Sequence, residues 1–198
     1  KEMLSHKKSL NILRKTNALL DGHFVLSSGL HSTQYIQCAK LLSFPHIANI
    51  ICQSLAKKIK KNFKSIDLIL SPAMGGIIIG YEIGRLLKKE TIFCERVKGK
   101  FTLRRGFNIK KNTRVVIIED VITTGKSSLE CAKLIKKSKA KLVGFACIID
   151  RSNKKNLRIK KKIISHIKIE VPTFSKKNLP KYLKLKPISS PGSRFIKW

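Results

Sequence analysis

Glu119 and Asp120 stand side by side at the end of the run Val115-Val116-Ile117-Ile118. The whole chain holds 11 acidic residues among 198, so a tandem pair behind four β-branched residues is not a placement that composition favours. A continuous β-branched run reads as a strand buried on both faces. Carboxylates placed where such a strand surfaces repel each other and lose hydration. Something cationic or rich in hydroxyls must compensate them, and a Mg2+ complex or a sugar diol has that chemistry. Thr123-Thr124-Gly125-Lys126-Ser127 follows directly. Small hydroxylated residues and a glycine at a helix start offer unpaired N–H donors and the positive end of the helix dipole, which together cradle phosphate. Gly-Lys-Ser also occurs in the nucleotide P-loop, but that motif needs a glycine five positions before Gly125, where Asp120 stands. An ordinary strand–turn–helix with a capping side chain accounts for Asp120 or Thr123 singly, not for the full run.

The elements around this segment alternate. Ser5 to Leu20 carries apolar residues at helical spacing and reads as an amphipathic helix ended by Asp21-Gly22. His23 to Ser28 and Thr33 to Cys38 read as two short strands. Pro45 opens a helix with Ile47, Ile50, Ile51, Leu55 and Ile59 on its apolar face. Then come a strand at Ile66 to Leu70, a helix at Ile77 to Lys88, a strand at Thr91 to Glu95 and a polar, basic stretch from Lys98 to Asn112. A strand at Arg114 to Ile118, a helix at Gly125 to Lys137, a strand at Leu142 to Ile149 and an edge strand at Ile163 to Val171 complete the pattern. Strand–helix alternation of this kind means an α/β protein with a mostly parallel sheet. Ligands then bind beyond the C-terminal strand ends.

Composition narrows the class. No apolar run reaches the roughly 18 residues that span a bilayer, and the N-terminus lacks a secretory-type apolar block. The expected state is a soluble, cytoplasmic single domain. The five cysteines form no Cys-x-x-Cys pair and read as buried, reduced thiols. A net charge of +32 invites a nucleic-acid reading. The lysines are distributed over the chain without interleaved aromatics to stack bases, so nucleic acid is not expected as the primary partner.

Val115 to Ser127 resembles the signature with which type I phosphoribosyltransferases bind phosphoribosyl pyrophosphate (PRPP). The resemblance extends along nearly the whole chain to the orotate-using branch of that family. Gly22 to Ser32 resembles its N-terminal hood segment, Ser71-Pro72-Ala73-Met74-Gly75-Gly76 its pyrophosphate loop, and Glu95-Arg96 through Leu103-Arg104-Arg105-Gly106-Phe107 its mobile catalytic loop. Ile149-Asp150-Arg151 resembles the strand end that carries an orotate-binding arginine. The signature alone marks the superfamily; the combination marks the branch.

The resemblance implies a central, mostly parallel twisted sheet flanked by helices, with a hood over about 1–40, a PRPP-binding core over about 41–170 and a tail over 171–198. It implies that orotate and PRPP give orotidine 5′-phosphate and pyrophosphate, in pyrimidine (UMP) biosynthesis. Mg2+ would arrive with PRPP rather than on protein ligands. Glu119 and Asp120 would face the ribose hydroxyls and act catalytically. Val121, Ile122 and Thr123 to Ser127, through Thr124, Gly125 and Lys126, would hold the 5′-phosphate side of PRPP. Ala73, Met74, Gly75 and Gly76 would admit pyrophosphate to the backbone. Thr123 and Arg151 would bind orotate, Arg151 gripping its carboxylate bidentately; a surface ion pair with Asp150 is the plain alternative. Arg96 and Lys100 are the best candidates for catalytic loop cations, on a lid closing over pyrophosphate, with a solvated charge run as the alternative. In the family this loop crosses a dimer interface, which implies a homodimer with shared sites. Ser27 and Gly75 stand where another subtype has lysines, and Thr102 stands near the position of that subtype's loop histidine. Pro187 to Arg194 resembles the tail of the subtype followed here. A purine phosphoribosyltransferase would keep Val115 to Ser127 but lack the hood segment and Arg151. A non-catalytic PRPP-sensing regulator would suit the charge but would be expected to carry an added DNA-binding module or a damaged loop, and neither is apparent.

Overall fold

A computed structural model describes residues 4–26, 28–189 and 191. Its main sheet has six strands in the order β5-β4-β3-β6-β7-β8. These are β3 (Leu68–Pro72), β4 (Glu90–Val97), β5 (Lys100–Leu103), β6 (Arg114–Ile122), β7 (Lys141–Asp150) and β8 (Ile163–Lys168). All neighbours pair in parallel except β4 and β5. The chain adds β4 on one side of β3 and then returns to lay β6 on the other. Strand order therefore reverses between β3 and β6, where a crevice opens at the C-terminal edge.

Side-chain alternation along β6 and β7 feeds two cores. Val116, Ile118, Ala146 and Ile148 face α3 (Pro45–Asn62) and α4 (Gly76–Leu87). Val115, Ile117, Phe145 and Cys147 face α5 (Lys126–Lys137). Helix α4 lies unusually close to the sheet: a Cβ on Gly80 would run into the Ser71 side chain, and one on Gly84 into Thr91 Oγ1. The glycines four and eight residues after the first residue of α4 are thus what lets the loop before it sit over the strand ends.

A second sheet, in the order β1-β2-β9, forms the hood. Its strands are β1 (Leu19–Val25), β2 (His31–Ile36) and β9 (Thr173–Phe174). His23 Nε2 and His31 Nδ1 share a 2.7 Å hydrogen bond across the first two strands. The Ser189 N–H donates to the His23 carbonyl and ties the C-terminal segment to the hood.

Three sequence expectations need correction. The first helix, α1, spans His6–Lys15 and not Ser5 to Leu20; Asn17 adopts a left-handed φ of 57° that stops it, and Leu19 and Leu20 begin β1. Their apolar character fits a helix face and a buried strand equally well. The second hood strand likewise begins at His31, two residues before Thr33, and a short helix, α2 (Cys38–Leu42), follows it. The basic stretch from Lys98 onward is not simply a loop: β5 pairs antiparallel with β4, closed by a two-residue turn in which Lys98 and Gly99 both have positive φ, 48° and 79°. Such turns favour Asn-Gly or Asp-Gly, so Lys-Gly gave little warning. Ser27 and the part of the tail at 190 and 192–194 lie outside the described residues.

The close seat of α4 yields a stability test. Gly80→Ala is expected to lower the free energy of unfolding by about 1–3 kcal/mol through overpacking, read from urea titrations. An unchanged midpoint would mean that α4 has room to spare.

Candidate active site

The C-terminal edge of the parallel strands gathers the sequence's candidate residues. Strand β3 ends in Ser71-Pro72 and runs through Ala73 and Met74 into α4. The Ala73 N–H donates to the Cys94 carbonyl, fixing this loop against β4. The Ala73–Met74 peptide is cis. Strand β6 ends beside it: a Cβ on Gly75 would lie 2.7 Å from Asp120 Oδ2, and one on Gly76 3.2 Å from the Ile118 carbonyl. The pyrophosphate-loop candidates and the acidic pair therefore share one crevice, and glycine at 75 leaves the Asp120 carboxyl its place.

Glu119 and Asp120 are adjacent in sequence but diverge in space, because successive strand residues point to opposite faces. Glu119 continues the α5 face and is felt by Cys131 there; Asp120 continues the α4 face, beside Gly75. The pair straddles the strand end. Glu119 is buried, and its Oε1 has no hydrogen-bond partner. Burial pushes its pKa up from 4.5 to about 7; Ser128 nearby pulls the other way and the Asp120 charge adds to the rise. The Ser128 hydroxyl is itself buried without a hydrogen-bond partner, so that moderation falls short of a formed bond. Burial also raises the Asp120 pKa, against the Val121 N–H that donates to Oδ1 at 2.8 Å. Among the described residues neither carboxyl is in an ion pair.

The turn after β6 leads into α5 with Gly125 at the N-cap and no side chain capping the helix. Lys126 N–H reaches Thr124 Oγ1 only at 3.3 Å. The first-turn donors are thus left to a ligand or to solvent. Gly125 is doubly required: its φ is +75°, and a Cβ there would lie 2.5 Å from Ile159 Cγ1. Arg158 N–H donates to the Thr124 carbonyl, so the segment between β7 and β8 braces the turn from behind. Thr123 is exposed at the mouth.

Arg151 follows β7, and its N–H donates to the Ile122 carbonyl at 2.8 Å, which registers it beside the end of β6. Its Nε is buried without a partner, and burial draws its pKa down while Tyr35 and Cys38 act against that. It is not paired with Asp150, whose Oδ1 accepts from the Ser152 N–H instead. A guanidinium held this way lacks an anion. Tyr35 and Cys38 bring the hood to the site: Tyr35 ends near Arg151, and Cys38 Sγ lies 3.9 Å from the Asp120 carbonyl. Nothing local in the sequence marked these two, because their role rests on contacts across more than eighty residues of chain.

The basic hairpin projects past the same edge, since β4 continues beyond Cys94, which pairs with Pro72. Arg96 is engaged: its Nη1 is 2.7 Å from Glu130 Oε2 on α5 and 2.8 Å from the Gly99 carbonyl, and its guanidinium lies over Phe101 at 4.0 Å. Arg105 holds Glu95 through two hydrogen bonds. Lys100 is exposed at the start of β5, and no described hydrogen bond or ion pair joins it or Arg96 to Glu119 or Asp120. The structure thus assembles the residues from β3, β6 and β7 into one crevice and leaves the hairpin cations outside it.

Known proteins fit this geometry. Residues 41–178 match the phosphoribosyl transferase domain model. A curated orotate phosphoribosyltransferase of Parvibaculum lavamentivorans is 46% identical over 194 residues, covering 98% of this chain and 100% of that protein. The crystal structure of orotate phosphoribosyltransferase from Aeropyrum pernix superposes with a TM-score of 0.67 at 24% identity, over 80% of this chain and 92% of that one. An adenine phosphoribosyltransferase from Thermoanaerobacter pseudethanolicus superposes with a TM-score of 0.58 at 20% identity, over 69% and 88%. These structural likenesses carry the fold, which serves more than one base; the full-length sequence identity narrows the branch. The chain belongs to the phosphoribosyltransferase family and, within it, to the orotate phosphoribosyltransferases.

Proposed function

We propose that this chain transfers the 5-phosphoribosyl group of PRPP to orotate, releasing pyrophosphate, as a step in pyrimidine biosynthesis. The observation that carries the reading is the crevice itself: a buried and a half-buried carboxyl without cation partners, a phosphate-type helix start beside them, and a half-buried arginine whose Nε has no partner. The orotate ring nitrogen forms a bond to ribose C1 as the bond from C1 to the pyrophosphate oxygen breaks. The transition state carries positive charge on the ribose and negative charge on the leaving group. Catalysis is then positioning and charge stabilisation.

Glu119 and Asp120 accept hydrogen bonds from the ribose hydroxyls and oppose the sugar's positive charge. Thr123, Thr124, Gly125, Lys126 and Ser127 hold the 5′-phosphate through backbone N–H groups and hydroxyls. Ala73, Met74, Gly75 and Gly76 give pyrophosphate access to main-chain donors. Arg151 grips the orotate carboxylate, with Thr123 at the pocket mouth. Lys100, exposed on the hairpin, is the cation ready to meet the leaving group. Arg96 joins it only by giving up Glu130.

Mg2+ would come with PRPP and not on protein ligands: Glu119 and Asp120 diverge to opposite faces of the strand, and their oxygens face the ribose. Among the described residues no three His, Cys, Asp or Glu side chains converge, so an ion needing six oxygens would draw most of them from PRPP and water. When bound, Mg2+ neutralises the pyrophosphate. A homodimer fits the same edge. Met74 in the pyrophosphate loop and Ile78 and Tyr81 on the following helix α4 expose apolar surface close together in sequence. A second copy covering it would bring a neighbouring hairpin towards this site. Among the described residues no helix is long and apolar enough to cross a membrane.

Two experiments test the reading. Loss of orotate's ultraviolet absorbance should require PRPP, with no turnover of adenine or hypoxanthine in its place. In that assay Arg151→Ala should raise the KM for orotate at least about tenfold, roughly 1.4 kcal/mol, and leave the KM for PRPP little changed. Equal effects on both would remove Arg151 as the carboxylate anchor. The second is pH dependence. Below about pH 4.5 Glu119 is protonated whether the chain is folded or not. Between 4.5 and about 7 the unfolded chain releases that proton while the native state keeps it, so native stability falls as pH rises. Glu119→Gln removes this loss and should gain on the parent protein by on the order of 2 kcal/mol between pH 5 and 8. Parallel curves for the two proteins would mean that Glu119 ionises normally.

A further inference from the structure

The parallel sheet gives the molecule two unlike edges. Substrate loops occupy the C-terminal edge; at the opposite edge helices end and strands begin. Segments 60–67, 88–90, 110–114, 136–141 and 160–162 make up that second edge, and they hold fifteen lysines and arginines against two carboxylates, Asp67 and Glu90. Asp67 is already bound to Arg114 at 2.6 Å. Hydrogen bonds knit the segments into one surface. Asp67 N–H donates to the Arg114 carbonyl, Asn112 N–H to Lys139 and Lys141 N–H to Thr113. Lys162 Nζ donates to Asn62 Oδ1 at the end of α3.

Helix dipoles account for part of this charge, since cations at C-terminal turns are stabilising. That covers Lys60, Lys61, Lys136 and Lys137. It does not cover Lys64, Lys110, Lys111 or Lys139, which lie in turns and are exposed. So many like charges in one place destabilise the folded state by self-repulsion unless anions gather there.

The character of the surface selects the anion. None of the exposed large apolar side chains falls in these segments, so nothing there would insert into a bilayer. No exposed aromatic is present to stack unpaired bases, since Phe63 is buried. Point charges without apolar or stacking groups match regularly spaced phosphates whose bases are turned inward. We propose that this edge binds the phosphate backbone of a nucleic-acid duplex, without sequence readout, while the opposite edge turns over substrate.

The test is fluorescence anisotropy of the whole chain with a labelled RNA duplex of about 20 base pairs, titrated between roughly 50 and 200 mM salt. The logarithm of the association constant is expected to fall with the logarithm of salt at a slope of about −4 or steeper, as for four or more phosphates neutralised. Combining Lys110→Glu, Lys111→Glu, Lys136→Glu and Lys139→Glu should weaken binding at least about tenfold and flatten that slope, with orotate turnover unchanged. If the reversed charges unsettle the fold, the same four positions changed to Gln serve instead. A DNA duplex of equal length should compete about as well as RNA, and PRPP should not compete. Full binding by the variant, displacement by PRPP, or preference for single strands or phosphatidylserine vesicles would each overturn the proposal.

Discussion

The structure turns on a pair of carboxyl groups, Glu119 buried and Asp120 half-buried, that the fold leaves without cations. Removing a carboxylate from water is costly unless an opposite charge or hydrogen-bond donors replace the solvent. Arg14, Arg85, Arg96, Arg105 and Arg114 are each paired with an acid elsewhere on the molecule. In a chain of net charge +32, a carboxyl without such a partner is not short of available cations. Glu119 and Asp120 are kept apart from them by the crevice, and burial raises both of their pKa values. The same crevice does the reverse to Arg151, which is half-buried with its Nε unpartnered and no acid beside it. Opposite charges are thus held apart within one site, each awaiting a different part of a ligand. A sugar bearing hydroxyls, a phosphate and an acidic base would satisfy all of them.

Architecture explains why these groups meet. Strand reversal between β3 and β6 opens the crevice, and glycines let α4 settle low enough for its leading loop to reach Asp120. Gly125 performs the matching service on the other face, at the head of α5. The hood closes the third side through Tyr35 and Cys38. Distribution of charge follows the same polarity: acidic and anion-seeking groups share one edge, while a dense field of lysines occupies the other.

Much of this was legible from residues. The short, wholly β-branched run into Glu119-Asp120 favours a strand buried on both faces over a helix segment, and the hydroxyl-rich turn with Gly125 marks the helix start behind it. Arg151 is marked by the resemblance of Ile149-Asp150-Arg151 to the family's orotate-binding strand end. What escaped has physical causes. Leu19 and Leu20 suit a helix face or a strand, and the left-handed turn at Asn17 that decides between them leaves no strong sequence mark. The hairpin at Lys98-Gly99 lacks the usual asparagine or aspartate, so its basic residues read as a loop. Arg96 reads as a catalytic loop cation by resemblance, but its place in the loop says nothing of Glu130 on α5, which holds it. Divergence of the acidic pair to opposite faces follows from strand geometry alone.

The most direct test is a crystal structure with PRPP and Mg2+. The account requires the ribose hydroxyls within hydrogen-bond reach, up to about 3.2 Å, of the Glu119 and Asp120 carboxyls, and the 5′-phosphate on the main-chain donors between Thr123 and Ser127. Ligand density away from the end of β6, or either carboxyl turning to an arginine of its own chain while the sugar lies elsewhere, would contradict it.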